Sequence, residues 1–184
     1  MTTYVGSLIC PRCEYVVDED HAFGGCERCA SDGVAVNLVP AYDIVGLDSL
    51  PIDEAQPGLF RFVDLLPLGH GVKPVSLGVG TTPLLPAPSI GNRMGLKYLF
   101  FKDESRNPTW SFKDRLAAVA VTKAVERGAE VVVVATTGNH GAAIAAYAAI
   151  ANVRCVALTL ESVPKTMKVL MQSYGAEVVA LRKP

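Results

Sequence analysis

From Gly95 onward the chain alternates short apolar runs with longer stretches of helical spacing, and glycines punctuate the joins. Leu96 to Lys102 reads as a strand. Leu116 to Arg127 is apolar on nearly every face and stops at Gly128, the pattern of a helix packed on a sheet. Glu130 to Ala135 carries four consecutive valines and predicts a buried parallel strand. An alanine-rich helix opens near Gly141, and Val153 to Leu158 is the next apolar strand. Pro164 suits the first turn of a helix that runs to Tyr174 and ends at Gly175, and Glu177 to Leu181 is a further strand. This alternation predicts an α/β fold, a parallel sheet with flanking helices and right-handed crossovers. Three regions are expected. Residues 1–38 form a small cysteine-bearing module, 39–88 a Pro- and Gly-rich linker and wrapping segment, and 89–184 the α/β domain.

Composition narrows the partners. The 184 residues are 50% hydrophobic and 19% charged, as expected of a folded globular chain. A formal net charge of −1, with no cluster of Lys and Arg, gives no long-range attraction to nucleic acid or anionic lipid. Neither nucleic acid nor membrane is therefore expected as a partner. The first residues lack a basic start followed by a long apolar run, and Ala142 to Ala151 is too short to span a bilayer. The expected location is cytoplasmic.

Cys10-Pro-Arg-Cys13 and Cys26-Glu-Arg-Cys29 form two CxxC pairs with twelve residues between them. In each turn both sulfurs point to one side, so two turns joined by a hairpin present four thiolates to Zn²⁺. Two disulfides are the rival arrangement; a chain without an export signal favours the metal. A zinc ribbon often touches nucleic acid, but here Glu14, Asp18, Glu19, Asp20, Glu27 and Asp32 outnumber Arg12 and Arg28. DNA would be repelled, and the expected role of the metal is structural. Cys155, in an apolar strand, reads as a small core residue.

Two further runs carry candidate chemistry. Asn107-Pro-Thr-Trp-Ser-Phe-Lys113-Asp-Arg115 places a lysine where a loop enters a helix, beside the positive helix end that favours its free amine over its ammonium. Such an amine forms an imine with an aldehyde. One strand-helix-strand step later, Thr136-Thr137-Gly138-Asn139-His140-Gly141 follows an apolar strand and opens a helix, so its N–H groups and short polar side chains face the crevice at the carboxyl end of the sheet.

Together with Arg61 to Pro67, Ser76-Leu77-Gly78 and Thr81-Thr82-Pro83-Leu84, these runs resemble the pyridoxal-phosphate enzymes of fold type II, and the threonine synthases most closely. The resemblance implies that Lys113 is catalytic and carries pyridoxal 5′-phosphate as an imine, and that Asn139 hydrogen-bonds the cofactor's 3′-hydroxyl. It implies that Thr136, Thr137 and His140 grip the carboxylate of a small amino-acid substrate, and that the reaction converts O-phosphohomoserine and water into threonine and phosphate. An amino-terminal ribbon with Cys10, Cys13, Cys26 and Cys29 as zinc ligands fits some relatives. Three positions depart from the family pattern: Trp110 stands where glycine is usual, Val79 where glutamate is frequent, and His140 where threonine is common. Gly-Asn-His also occurs in dehydratase-like relatives, so serine or threonine dehydratase and cysteate synthase stay open as activities.

The same resemblance implies parts not found here. After Gly141 the only glycine is Gly175, so the glycine-rich loop expected to hold the cofactor phosphate is missing. The chain is expected to be the amino-terminal part of a longer enzyme, or to be completed by another chain, a homodimer being one form. Alone it is expected to be inactive, and a non-catalytic truncated homologue is the reading from another class.

Overall fold

The computed structural model describes residues 5–17, 24–44 and 49–182. The chain divides into two units, residues 1–53 with 62–70, and residues 54–61 with 71–184.

The first unit is built on a three-stranded antiparallel sheet of order β2-β1-β3: β1 is Val5–Ile9, β2 Val16–Val17 and β3 Val39–Tyr42. Ile9 pairs with both Val16 and Val39, so the first CxxC turn leaves directly from the sheet's centre strand. That turn closes when Glu14, in the left-handed region at φ 56°, donates its N–H to the Cys10 carbonyl at 2.9 Å. The second turn opens a short helix, α1 (Glu27–Ser31). Gly25 precedes it at φ 71°, where a Cβ would sit 2.6 Å from the Val36 carbonyl oxygen; only glycine fits. Tyr15, Val36 and Leu38 pack around the cysteines, a core too small to hold without a further element. Asp18, Glu19 and Asp20 lie outside the described residues.

In the second unit β4 (Leu84–Pro86) pairs antiparallel with β5 (Phe100–Lys102), and α2 (Pro88–Arg93) lies between them in sequence. A 3-10 turn, Glu104–Arg106, leads to α3 (Lys113–Glu126). The order then runs β6 (Val131–Ala135), α4 (Asn139–Ile150), β7 (Arg154–Leu160), α5 (Lys165–Ser173) and β8 (Glu177–Leu181). β6, β7 and β8 form a parallel sheet in that order, in register from Val131 opposite Arg154 to Leu160 opposite Leu181. The α/β fold with a parallel sheet and helices packed on it, preceded by a cysteine-bearing module, is therefore present as the sequence predicts. Cys155 is buried in β7, as expected, and burial pushes its thiol pKa up.

One expectation needs correcting. β6 is a parallel strand, but it is not buried on both faces: Val131 is 41% and Val133 64% exposed. Helix α4 packs against β6 and β7, α5 packs against β8, and the two helices touch each other, so both lie on one side of the sheet. Among the described residues the alternate positions, Val133 and Ala135, are left open, as are Val179 and Leu181 across the sheet.

Candidate functional site

The carboxyl end of β6 turns into α4 through Thr136–Gly138. Thr136 extends the ladder by one step, donating its N–H to the Leu158 carbonyl at 2.9 Å. Its buried hydroxyl accepts from the N–H of Gly141 at 2.9 Å and of Gly138 at 3.1 Å. Two of the amides that a helix start leaves unpaired are thus satisfied from beneath. A Cβ on Gly141 would overlap the Thr136 side chain and come within 2.6 Å of the Met171 sulfur, so glycine lets α4 begin this close to the strand and to α5. Thr137 and Asn139 are exposed and His140 half-buried, so their polar groups are available to a ligand.

Lys113 is the first residue of α3, and α3 packs along α4, so the two helix starts are neighbours. The half-buried Lys113 ammonium lies 4.7 Å from the centre of the exposed Phe112 ring. Burial, and then the Lys113 charge, lower the His140 pKa below its ordinary value, leaving a neutral imidazole at neutral pH. The structure therefore brings Lys113 together with the Thr136–Gly141 turn. An amine, a carboxamide, an imidazole and a helix start are a donor set that suits an aldehyde bearing a phenolic oxygen and, beside it, a carboxylate.

Beneath Lys113 lies a polar network that the sequence did not disclose. Both oxygens of Glu104 accept from Arg115, at 2.6 Å from Nε and 2.7 Å from Nη2. Thr82 donates its hydroxyl to Glu104 at 2.8 Å, and the Asn107 amide does so at 3.0 Å. Asn107 in turn accepts from the Gly80 N–H at 3.1 Å, and Lys102 donates to Thr82. The available signal was the charge pair Glu104 and Arg115 on either side of the Asn-Pro-Thr run. Trp110 sits in the left-handed region at φ 61°. A non-glycine residue there costs about 1–3 kcal/mol and persists only where the surroundings force it.

The Arg115 guanidinium, working against burial and helped by Thr82 and Asn107, holds the Glu104 carboxyl down to about 2. The unfolded value is 4.5, so this contribution is complete above it and is lost as pH falls toward 2. It amounts to at most about 3 kcal/mol. Between about pH 5 and about pH 2.5 the melting temperature of Glu104→Gln should fall less than that of the parent; equal slopes would mean that the pair does not stabilise the fold.

In the first unit the Cys10 and Cys29 sulfurs are 3.7 Å apart and those of Cys13 and Cys26 3.6 Å apart, with all four within 4.8 Å of one another. A tetrahedral ion at about 2.3 Å from each sulfur spaces them by about 3.8 Å, whereas a disulfide needs about 2.05 Å. Burial raises the Cys10 thiol, but the N–H groups of Cys13 and Arg12 and the neighbouring sulfurs outweigh it and bring it to about 6. The Tyr15 N–H lowers Cys13, yet burial and the other three sulfurs push it to about 12. Four sulfurs at this spacing, three of them on buried residues, are a donor set that fits a metal ion.

Residues 75–183 match the family described as "Pyridoxal-phosphate dependent enzyme". The chain belongs to that family. Relatives include the threonine synthase of Methanosarcina acetivorans, 34% identical over 178 residues, covering 95% of this chain and 42% of that protein. The threonine synthase of Synechocystis sp. is 42% identical over 120 residues, covering 63% and 31%. A solved pyridoxal 5′-phosphate-dependent aspartate racemase superposes with TM-score 0.51 and 36% identity over 54% of this chain and 32% of its own. The chain thus spans well under half the length of the relatives it matches. Within the family's part, Arg154 starts β7 at the opposite end of the sheet from the Thr136 turn and pairs with Glu177 at 2.7 Å. Lys165 and Lys168 lie in the first turn of α5 at the same end as that turn, Lys168 donating to the Glu161 carbonyl at 2.8 Å. Among the described residues no helix is long and apolar enough to cross a membrane.

Proposed function

We propose that this chain is the amino-terminal part of a lyase of the threonine synthase type, acting on the small amino-acid derivative O-phosphohomoserine and water to give threonine and phosphate. The observation that carries the reading is the adjacency of the Lys113 and Asn139 helix starts, and the names of the relatives support the substrate class. Pyridoxal phosphate, when bound, supplies an electron-withdrawing ring that stabilises negative charge developing on substrate carbon. Lys113 holds it covalently and afterwards moves protons at the α, β and γ carbons. Asn139 orients the cofactor's ring oxygen, and Thr137 and the neutral His140 receive the substrate carboxylate with the first amides of α4. Thr136 contributes to the same turn by fixing its shape. In this reading Zn²⁺ fills the Cys10, Cys13, Cys26, Cys29 tetrahedron, and the α/β domain proper begins near residue 89.

The likeness to an aspartate racemase supports a second reading, a relative acting on another amino acid. A phosphate requirement separates the two. The protein with its complete site should turn over O-phosphohomoserine and not homoserine, serine or threonine; release of ammonia from serine or threonine would select the second reading. The 184 residues alone should show no turnover and only weak cofactor binding, since the residues after Gly141 offer no glycine-rich phosphate loop. Steady-state turnover by the 184-residue product would refute that expectation.

A further inference from the structure

Lys113, Asp114 and Arg115 are consecutive in the first turn of α3, so their side chains leave the helix about 100° apart. Asp114 is wholly buried and is held by Thr109, which donates its N–H to the two carboxylate oxygens at 3.1 and 3.2 Å and its hydroxyl at 2.7 Å. Arg115 is held by the two oxygens of Glu104, which is itself anchored by Thr82 and Asn107. Turning the helix start either way about its axis would break one hold or the other. It would also bring a carboxylate or a guanidinium to the place where the Lys113 amine emerges beside His140. The loop between the two holds is forced into an uncommon shape, with Trp110 at φ 61°, a sign that both are tight.

We infer that Asp114 and Arg115 are positioning residues that set the direction in which the Lys113 amine leaves α3, and that the Glu104–Arg115 pair serves the reactivity of Lys113 as well as the fold. The inference rests on Lys113 being the cofactor lysine. Neither neighbour touches the ligand; each acts through the helix start. The Thr109 hold is local, five residues away, whereas the Glu104 hold reaches the Gly80–Thr82 loop and so ties the lysine's direction to the rest of the unit. A displacement of about 1 Å at a reacting group lowers rates up to about a hundredfold, so a looser hold should be visible in reactivity before it is visible in folding.

The test is competitive labelling of the 184-residue chain with pyridoxal phosphate, borohydride reduction and peptide mass spectrometry, with the exposed Lys97 as internal reference. Arg115→Lys keeps the charge and loses the two-point grip. Thr82→Val removes one anchor of Glu104 and no charge. The parent should label Lys113 in preference to Lys97, and each variant should lower that ratio about tenfold with its cooperative melt retained. An unchanged ratio in the folded variants overturns the inference. So does a ratio that falls only when the melt is lost, because support of the fold then accounts for it. A parent with no preference for Lys113 sinks the assignment of the cofactor lysine itself, and the inference with it.

Discussion

Lys113→Ala, in protein that carries the complete site, is expected to abolish the visible absorbance of the bound cofactor and to lower turnover by more than about a thousandfold, near the upper range for loss of an acid–base group. Among the described lysines, Lys113 alone combines the required features: half-burial, the first position of a fourteen-residue helix, and a neighbouring imidazole kept neutral. Lys102, the nearest rival in the same unit, already donates to the hydroxyl and carbonyl of Thr82. Lys165 and Lys168 lie at the right end of the sheet but on α5. A borohydride-reducible link that survived in Lys113→Ala would move the chemistry to one of these. An intact absorbance band without turnover would keep the link elsewhere and leave Lys113 only the proton transfers.

What the sequence disclosed, and what it hid, follows the range of the interactions. β8 runs Glu177–Leu181 as expected, and α5 differs by one residue at each end, because apolar spacing and the Pro164 and Gly175 boundaries are local signals. α3 begins three residues before the predicted Leu116, since its start is fixed by Thr109 and Glu104 holding polar side chains to which hydrophobic period is blind. The strand expected from Leu96 shortens to Phe100–Lys102: Leu96 donates its N–H back to the Gly91 carbonyl at 2.9 Å and belongs to the end of α2. The Lys113 and Thr136–Gly141 runs could be found because each is contiguous. The network under them could not, because Gly80 meets Asn107 across 27 positions and Thr82 meets Glu104 across 22. The open face of the sheet was hidden for a different reason. A run of valines reads the same whether one face or both are covered, and only the direction of the crossovers decides which.

Removal of metal should have the largest effect on the first unit. Elemental analysis of the purified protein is expected to find one Zn²⁺ per chain. Its withdrawal by a strong chelator, or by Cys26→Ser, should unfold the region around β1, β2 and α1 while the helices of the second unit keep their far-ultraviolet signal. The reason is one of scale. A structural zinc site contributes roughly 10–16 kcal/mol of apparent binding energy at neutral pH, whereas Tyr15, Val36 and Leu38 packed on three buried cysteines offer only a few side chains' worth of burial. The sulfur spacings of 3.6 and 3.7 Å already suit the ion, so little rearrangement opposes its entry. Protein prepared without oxidant that contained no zinc, or that contained disulfides among these four cysteines, would sink the assignment. The filled site should still bind no DNA. Four thiolates around Zn²⁺ leave a net negative charge, Arg12 faces Asp32 at 3.9 Å, and Arg28 lies 4.3 Å over the Tyr15 ring, so the two arginines are already engaged beside their acidic neighbours. Salt-dependent retention of a duplex by the first unit would show that this charge argument fails.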